Sequence, residues 1–425
     1  MAVVGASDNS QADLNRRRRG PWRRGAVLLL VAVLVYDVSL VTHVRVWGGN
    51  GPELDAGVQP SQSALSTRMP NLAHAPGSVV FTAAEFVLAG RPDPKRPRDA
   101  ALVYAAFGAV TGGLLFGLLS ARRWLSGGHD AGSAAPERRR VVFDATFAAV
   151  AAPAVGAWVY GAGVEPWRLH VRRYSLAVPD LPLELEGLRI AHVSDLHIGP
   201  GVADSIVRDA VDAAVEASPD LIVLTGDIVD YRIDRIERLR PLVAPLIAAA
   251  PTAAVLGNHD WNAGGVAVGR LLSAMGASMI AHRVAWYDPI ERAVSGVPGA
   301  GLLRLIGVGD ATTGRGNPTG IVANANRGPE APTLLCTHNP DVAEHAALRE
   351  TRIDLLLAGH THGGQVAAPL IGPLIVNCEH GRRYSGGLVQ GPACPVLVSR
   401  GVGTSYVPVR IGAPPEIGVV GLTRG

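Results

Sequence analysis

Cysteine is scarce. Only Cys336, Cys378 and Cys394 occur in 425 residues. They show no spacing of a thiolate metal site, and an odd count leaves no closed disulfide framework, so the redox compartment stays open. Charge is also sparse: Asp, Glu, Lys and Arg make up 18% of the chain, with a formal net charge of only +3. A nucleic-acid surface calls for a stronger basic stripe, and the arginines cluster near apolar segments instead. No nucleic-acid partner is expected. No internal repeat is present, and the low-complexity stretches, 48–78 and 124–137, read as loops. Nothing in the sequence bears on oligomeric state. What the chain does have is length for a full core plus a second module. It is also rich in apolar residues, at 48%, with a mean hydropathy of +0.22.

That apolar excess is concentrated in the first 163 residues. Residues 26–46, 101–120 and 141–161 each approach the roughly 20 mostly apolar residues that a bilayer span needs. Asp37 interrupts the first and Asp144 the third, and a central charge costs about 2.5–3.5 kcal/mol on insertion scales. A further patch, 79–90, contains Glu85 and is too short to span alone. Two other readings stay open. The stretches could be buried helices of a soluble domain, or 26–46 a signal peptide, though no small-residue cleavage site stands near its end. Basic flanks orient the three spans. Arg16 to Arg19, Arg23 and Arg24 hold the N-terminus inside, as do Arg122, Arg123 and Arg138 to Arg140 for the second connection. The remainder is then extracytoplasmic, although Arg168, Arg172 and Arg173 beyond the third span oppose that direction. The expected organisation is a basic cytoplasmic N-terminus over 1–24 and a membrane region over 25–164. A linker and edge strand follow over 165–188, then a globular domain over 189–425. The localisation it implies is the cell membrane, multi-pass, with the lipid bilayer as a partner.

Beyond residue 188 the pattern changes. Short apolar runs recur and end in polar residues: 188–195, 221–227, 252–260, 303–310, 333–341 and 353–362. Helical patterns at 202–218, 234–250 and 264–275 separate several of them. Strands joined by helical crossovers predict helix-covered sheets with ligands at the carboxyl ends of strands. The stretch 370–422 is Gly-rich and β-like, and is expected to add strands that close the domain.

Five loops in this half present Asp, Asn or His, most of them directly after an apolar run. They carry Asp195 and His197; Asp227 and Asp230; Asn258 and His259 in Gly257-Asn258-His259-Asp260; His338; and His360 and His362. In extended backbone, residues two apart point to one side, so Asp195 with His197, and His360 with His362, could each grip one ion. A single strand-end Asp or His is most often a cap or turn residue, and His192, inside a run, reads as a core or supporting histidine. Capping does not call for so many such side chains at successive strand ends. A carboxylate–imidazole–amide set without thiolate suits Mn²⁺, Fe or Zn²⁺. Two such ions about 3.5–4 Å apart can clamp an in-line displacement.

The ordered set Asp195-x-His197, Gly226-Asp227-x-x-Asp230, Gly257-Asn258-His259-Asp260, His338 and Gly359-His360-x-His362 resembles the calcineurin-like metallophosphoesterase superfamily, over about 189–422. The short GNHD block, the THNPD block and the segments 363–365, 381–388 and 399–404 resemble its membrane-associated or exported bacterial branch, that of the YkuE and YaeI phosphoesterases. The resemblance implies a four-layer α-β-β-α sandwich, here preceded by an α-helical transmembrane region. It implies two divalent metal ions: Asp195, His197 and His362 at one, Asn258, His338 and His360 at the other, and Asp227 bridging. A metal-bound hydroxide would attack a phosphomonoester or phosphodiester in line, and tethering makes a phospholipid or lipid-linked headgroup a sensible substrate. His259, partnered by Asp230, would contact the phosphoryl oxygens or protonate the leaving group. Arg382, Arg383 and Arg400 are candidate substrate contacts, equally readable as solvent-exposed turn arginines. Cys336, inside a run, reads as core. The alternative is a membrane scaffold or transport-associated protein whose phosphoesterase-like domain is not catalytic.

Overall fold

The computed structural model of the chain describes residues 4–7, 156–199, 201–230, 233–368 and 371–425. The first half of the domain runs β1 (Val4–Ser7), β2 (His170–Val178), β3 (Arg189–Val193), α1 (Asp204–Glu216), β4 (Leu221–Thr225), α2 (Leu239–Ala249) and β5 (Thr252–Val255). Next come α3 (Asn258–Asn262), α4 (Gly265–Ala274), β6 (Ser278–Met279), β7 (Arg283–Asp288), β8 (Ala293–Ser295), β9 (Leu303–Gly307) and α5 (Thr319–Ala325). The chain closes with β10 (Thr333–Cys336), β11 (Leu355–Ala358), β12 (Ala367–Ala368), β13 (Gly372–Pro373), β14 (Gly387–Gln390), β15 (Pro395–Val398) and β16 (Glu416–Arg424).

Two mixed sheets result, ordered β1-β2-β16-β3-β4-β5-β6 and β14-β15-β11-β10-β9-β7-β8. In the first, β3, β4 and β5 are parallel neighbours. In the second, β9, β10, β11 and β15 are parallel neighbours. The segment 165–188 contributes β2, which pairs along its length with β16. The C-terminal strand β16 thus returns to the first sheet, between β2 and β3.

The alternation of side chains along each strand explains the layering. Leu221 and Val223 of β4 pack with Leu303 and Leu305 of β9 and with Leu334 and Cys336 of β10, between the two sheets. Their neighbours Ile222 and Leu224 turn the other way, against α1 and α2. In the second sheet Leu335, Leu356 and Ala358 face α5. Both faces of these strands are apolar because both are covered, as parallel strands require. Helix α1 buries Val207, Ala210, Val211 and Ala214, a single stripe at helical spacing. Helix α2 does the same with Leu239, Leu242, Val243, Leu246 and Ile247.

The membrane part of the expected fold class is not retained. Among the described residues no helix is long and apolar enough to cross a membrane. Helix α1 has 13 residues, or about 20 Å at 1.5 Å per residue, against a hydrocarbon core of about 30 Å. Its apolar stripe is spent on the sheet beside it. The expected spans 26–46 and 101–120 and the patch 79–90 lie outside the described residues, and 141–161 is described only from residue 156. Multi-pass membrane localisation, an extracytoplasmic catalytic domain and a lipid-bilayer partner were inferred from those spans, and are withdrawn because no described helix supports them. The described fold is an α/β sandwich of two mixed sheets.

Leu305 lies fully buried between the sheets. Replacing it with alanine removes three buried carbons and leaves a cavity. The Leu305→Ala protein should lose about 2–5 kcal/mol of stability in urea unfolding, with an unchanged denaturant slope.

Candidate metal centre

Every potential ligand sits where a parallel strand ends. Asp195 and His197 follow β3, Asp227 and Asp230 follow β4, and Asn258 and His259 follow β5. From the facing sheet, His338 follows β10, and His360 and His362 follow β11. Because the parallel strands of both sheets end at one edge of the sandwich, side chains from the two sheets meet there.

The local backbone is not the extended one that the two-apart spacing implied. Asp195, His197, Asp227, His360 and His362 all have positive φ, at 54°, 46°, 50°, 72° and 52°. Left-handed conformations in non-glycine residues are uncommon and cluster at functional sites, where the surrounding structure holds them. Two glycines permit the approach. A Cβ at Gly257 would stand 2.2 Å from Asp227 Oδ1, and one at Gly359 2.2 Å from Asp195 Oδ2.

Three groups of ligand atoms converge, each within 4.8 Å: Asp195, His197 and His362; Asp227, His338 and His360; and His197, Asp230 and His259. In the first, His197 Nε2 and His362 Nε2 are 3.0 Å apart, and Asp195 Oδ1 is 3.4 Å from His362 Nε2. In the second, His338 Nε2 is 3.1 Å from His360 Nδ1 and 3.2 Å from Asn258 Oδ1. Asp227 Oδ2 lies between the two groups, 3.6 Å from His197 Nε2 and 3.2 Å from His338 Nε2. Its Oδ1 accepts the His259 backbone N–H at 2.8 Å.

Supporting bonds decide which nitrogen faces inward. His338 Nδ1 donates to the Thr225 carbonyl at 2.7 Å, leaving Nε2 for a ligand. The Asn377 carbonyl engages the ring of His360, whose Nδ1 faces His338. The Asp195 carboxylate accepts the His360 backbone N–H at 3.0 and 3.1 Å. Asp260, not singled out from sequence, accepts the Val229 and Gly257 backbone N–H groups, both at 2.9 Å, and so ties the β4 and β5 loops together. Asp341 of the THNPD block accepts the backbone N–H groups of Glu379 and His380, pinning the segment that carries Asn377.

Electrostatics sorts these groups. Burial pushes His197 down to about 3, with His259 adding to the effect. Burial and the neighbouring His338 lower His360 to about 4, and burial with His197 and Arg410 holds His362 well below its usual range. Neutral imidazole is the form that binds metal. Burial raises Asp195 to about 6. Burial would also raise Asp227, but the imidazoles of His338, His259 and His197 hold it well below the carboxylate range. Burial opposes protonation of His259, yet Asp227 and Asp230 raise it. Burial also opposes protonation of His338, yet Asp227 and Asp195 raise it well above its usual range. The converging oxygen and nitrogen atoms draw positive charge, which suits them to cations. The residues present therefore fit two divalent ions.

The third group is organised differently. His259 Nδ1 is 3.0 Å from Asp230 Oδ1, and its Nε2 lies 3.4 Å from Ser405 Oγ. Ser405, too, was not marked by the sequence, because nothing ties 403–406 to the GNHD turn before folding. Of the candidate arginines, Arg383 pairs with Glu344 at 2.7 Å and Arg400 with Glu416 at 2.8 Å, so both charges are engaged within the fold. Arg382 is exposed. Cys336 lies buried between the sheets.

Two sheets with a candidate metal site at their shared edge define the class, a metal-binding α/β sandwich. The profile of the calcineurin-like phosphoesterase family matches residues 188–364. Phosphodiesterase YaeI of Escherichia coli (strain K12) is 32% identical over 233 residues, covering 54% of this chain and 80% of that protein. The uncharacterized metallophosphoesterase YkuE of Bacillus subtilis (strain 168) is 29% identical over 288 residues, 66% of this chain and 96% of that one. A dimetal phosphatase from Danio rerio aligns structurally at 14% identity and a TM-score of 0.33, over 51% of this chain and 88% of that chain. The chain belongs to the calcineurin-like phosphoesterase family. It is a metallophosphoesterase with a dinuclear metal-binding site. The likeness is to YkuE and YaeI as family members. Placement in a membrane-associated branch, read from the GNHD, THNPD and closing segments, is withdrawn: among the described residues no helix is long and apolar enough to cross a membrane.

His192, buried with Nε2 2.8 Å from Thr225 Oγ1, is pushed by burial down to about 3. A histidine that stays neutral in the fold contributes stability in full above pH 6.5. That contribution is lost as pH falls from 6.5 towards 3. Between pH 7 and 5 the metal-free protein should lose about 2 kcal/mol on this account. Urea unfolding of His192→Gln at both pH values should show a correspondingly smaller loss than wild type.

Proposed function

We propose that the protein hydrolyses a phosphodiester by in-line attack at phosphorus, with Asp227 spanning two metal positions. The observation that carries this reading is the placement of Asp227 Oδ2 between imidazoles of both groups, with a separate His259–Asp230 pair beside it. Asp195, His197 and His362 would hold one ion, and Asn258, His338 and His360 would hold the other. When bound, two divalent cations supply Lewis acidity that polarises the phosphoryl group and acidifies a water nucleophile.

The chain's own residues do the rest. Asp230 accepts the Nδ1 proton of His259 and aims Nε2 outward, and the raised affinity of His259 for a proton suits it to protonate the leaving alkoxide. His338 and His360, locked by carbonyls behind them, cannot rotate away from the site. The diester preference follows from the likeness to a protein named a phosphodiesterase. Arg382, exposed at the 381–384 turn, is the one candidate arginine whose charge is available to meet a substrate.

Two variants separate the roles. Asp227→Ala should lose both metals by elemental analysis. His259→Gln should keep two metals and hydrolyse bis(p-nitrophenyl) phosphate about 10²–10⁴-fold more slowly. Chelation should abolish wild-type turnover and added Mn²⁺ restore it. Full metal occupancy in Asp227→Ala would remove the bridging role, and p-nitrophenyl phosphate turned over faster than the diester would remove the diester preference.

A further inference from the structure

Arg410 has no part in the reading above, yet it is the largest fully buried side chain among the described residues. It forms no ion pair among them. The carboxylates of Asp195, Glu416 and Glu165 act on it only at longer range. Burying a guanidinium costs several kcal/mol unless its donors are satisfied, and here backbone carbonyls satisfy them. Nε donates to Gly403 O at 3.0 Å, and Nη1 to Ala413 O at 2.8 Å. Nη2 donates to Arg400 O at 2.9 Å, to Gly403 O and more weakly to Gly401 O at 3.2 Å. One planar fork thus fastens the whole 400–413 segment.

That segment lies directly against one metal position; its link to the other runs through the Asp195 carboxylate, which accepts the His360 backbone N–H. Gly403 N donates to Asp195 O at 2.7 Å. A Cβ on Gly401 would stand 2.5 Å from Asp195 Cβ, and one on Gly403 2.8 Å from His197 Cβ. The guanidinium itself closes the third side, with Nη2 3.3 Å from His362 Nδ1. Asp195, His197 and His362 therefore all rest on what Arg410 clamps. His338 and His360 rest on the Thr225 and Asn377 carbonyls instead.

We propose that Arg410 is a positioning residue that builds the Asp195–His197–His362 metal position and leaves the Asn258–His338–His360 position unaffected. The inference rests on the proposed division of ligands between two ions. A fixed positive charge beside a cation site weakens it, so the contribution is the geometry of the fork. Lysine keeps the charge and loses the fork, and should not substitute.

The test uses the full chain, stripped of metal and reloaded with Mn²⁺. Arg410→Lys and Arg410→Met should each retain about one ion per chain instead of two. The second ion should bind at least tenfold more weakly by calorimetry, and the electron paramagnetic resonance signal of a coupled Mn pair should be replaced by that of isolated Mn. Two ions with affinities within twofold of wild type, and a coupled spectrum, in either variant would overturn the proposal. Should neither variant fold, wild-type arginine side-chain ¹⁵N spectra decide it. A slowly exchanging guanidinium signal should shift on metal addition, and no response from any arginine would overturn the proposal. If wild type itself binds fewer than two ions, the failure belongs to the two-ion reading and not to Arg410.

Discussion

The Asp227 carboxylate is the constraint on which the rest of the site depends. One oxygen accepts the His259 backbone N–H and the other faces His197 and His338 from opposite sheets. A single side chain therefore touches the loops after β3, β4, β5 and β10. Its position is possible only because Gly257 lacks a Cβ and because the chain at Asp227 itself turns left-handed. Moving it by an ångström would break the relation between the two ligand groups, a precision that metal-assisted catalysis requires.

Around that carboxylate the fold distributes its costs unevenly. The sheets are conventional: buried aliphatic strands, alternating faces and amphipathic helices. The strand ends and the segment behind them hold what such a core would otherwise exclude: buried carboxylates, buried imidazoles and a guanidinium held by backbone carbonyls. These groups are costly to bury singly and become tolerable through backbone carbonyls, backbone N–H groups and the cations the site is built to receive. The strain and the unmet polarity of the molecule concentrate at one edge, as expected where packing is subordinated to chemistry.

The residues that converge at this edge were legible beforehand as a strand-end pattern. Strand-end Asp, Asn and His residues announce themselves by following apolar runs, and helical patterns at 202–218 and 264–275 coincide with α1 and α4. The partners that orient them were not legible. Thr225 and Asn377 act through backbone carbonyls, which every residue has. Ser405 and Arg410 come from a stretch with no pattern of its own. Long apolar runs near the N-terminus suggested membrane spans, but hydrophobicity alone does not distinguish a span from other apolar segments, and no described helix has the length.

By itself the sequence determined the donor chemistry and its order: oxygen and nitrogen ligands, no thiolate, each placed after a strand. Residue type and spacing along the chain are local properties and survive translation into a string. Only the tertiary structure decided how the donors group, with Asp227 shared between sheets and His259 set apart with Asp230. It also decided that Arg383 and Arg400 are spent on Glu344 and Glu416, while Arg410 is enclosed behind His362. Those outcomes depend on distances between residues far apart in the chain, which are set when the two sheets pack.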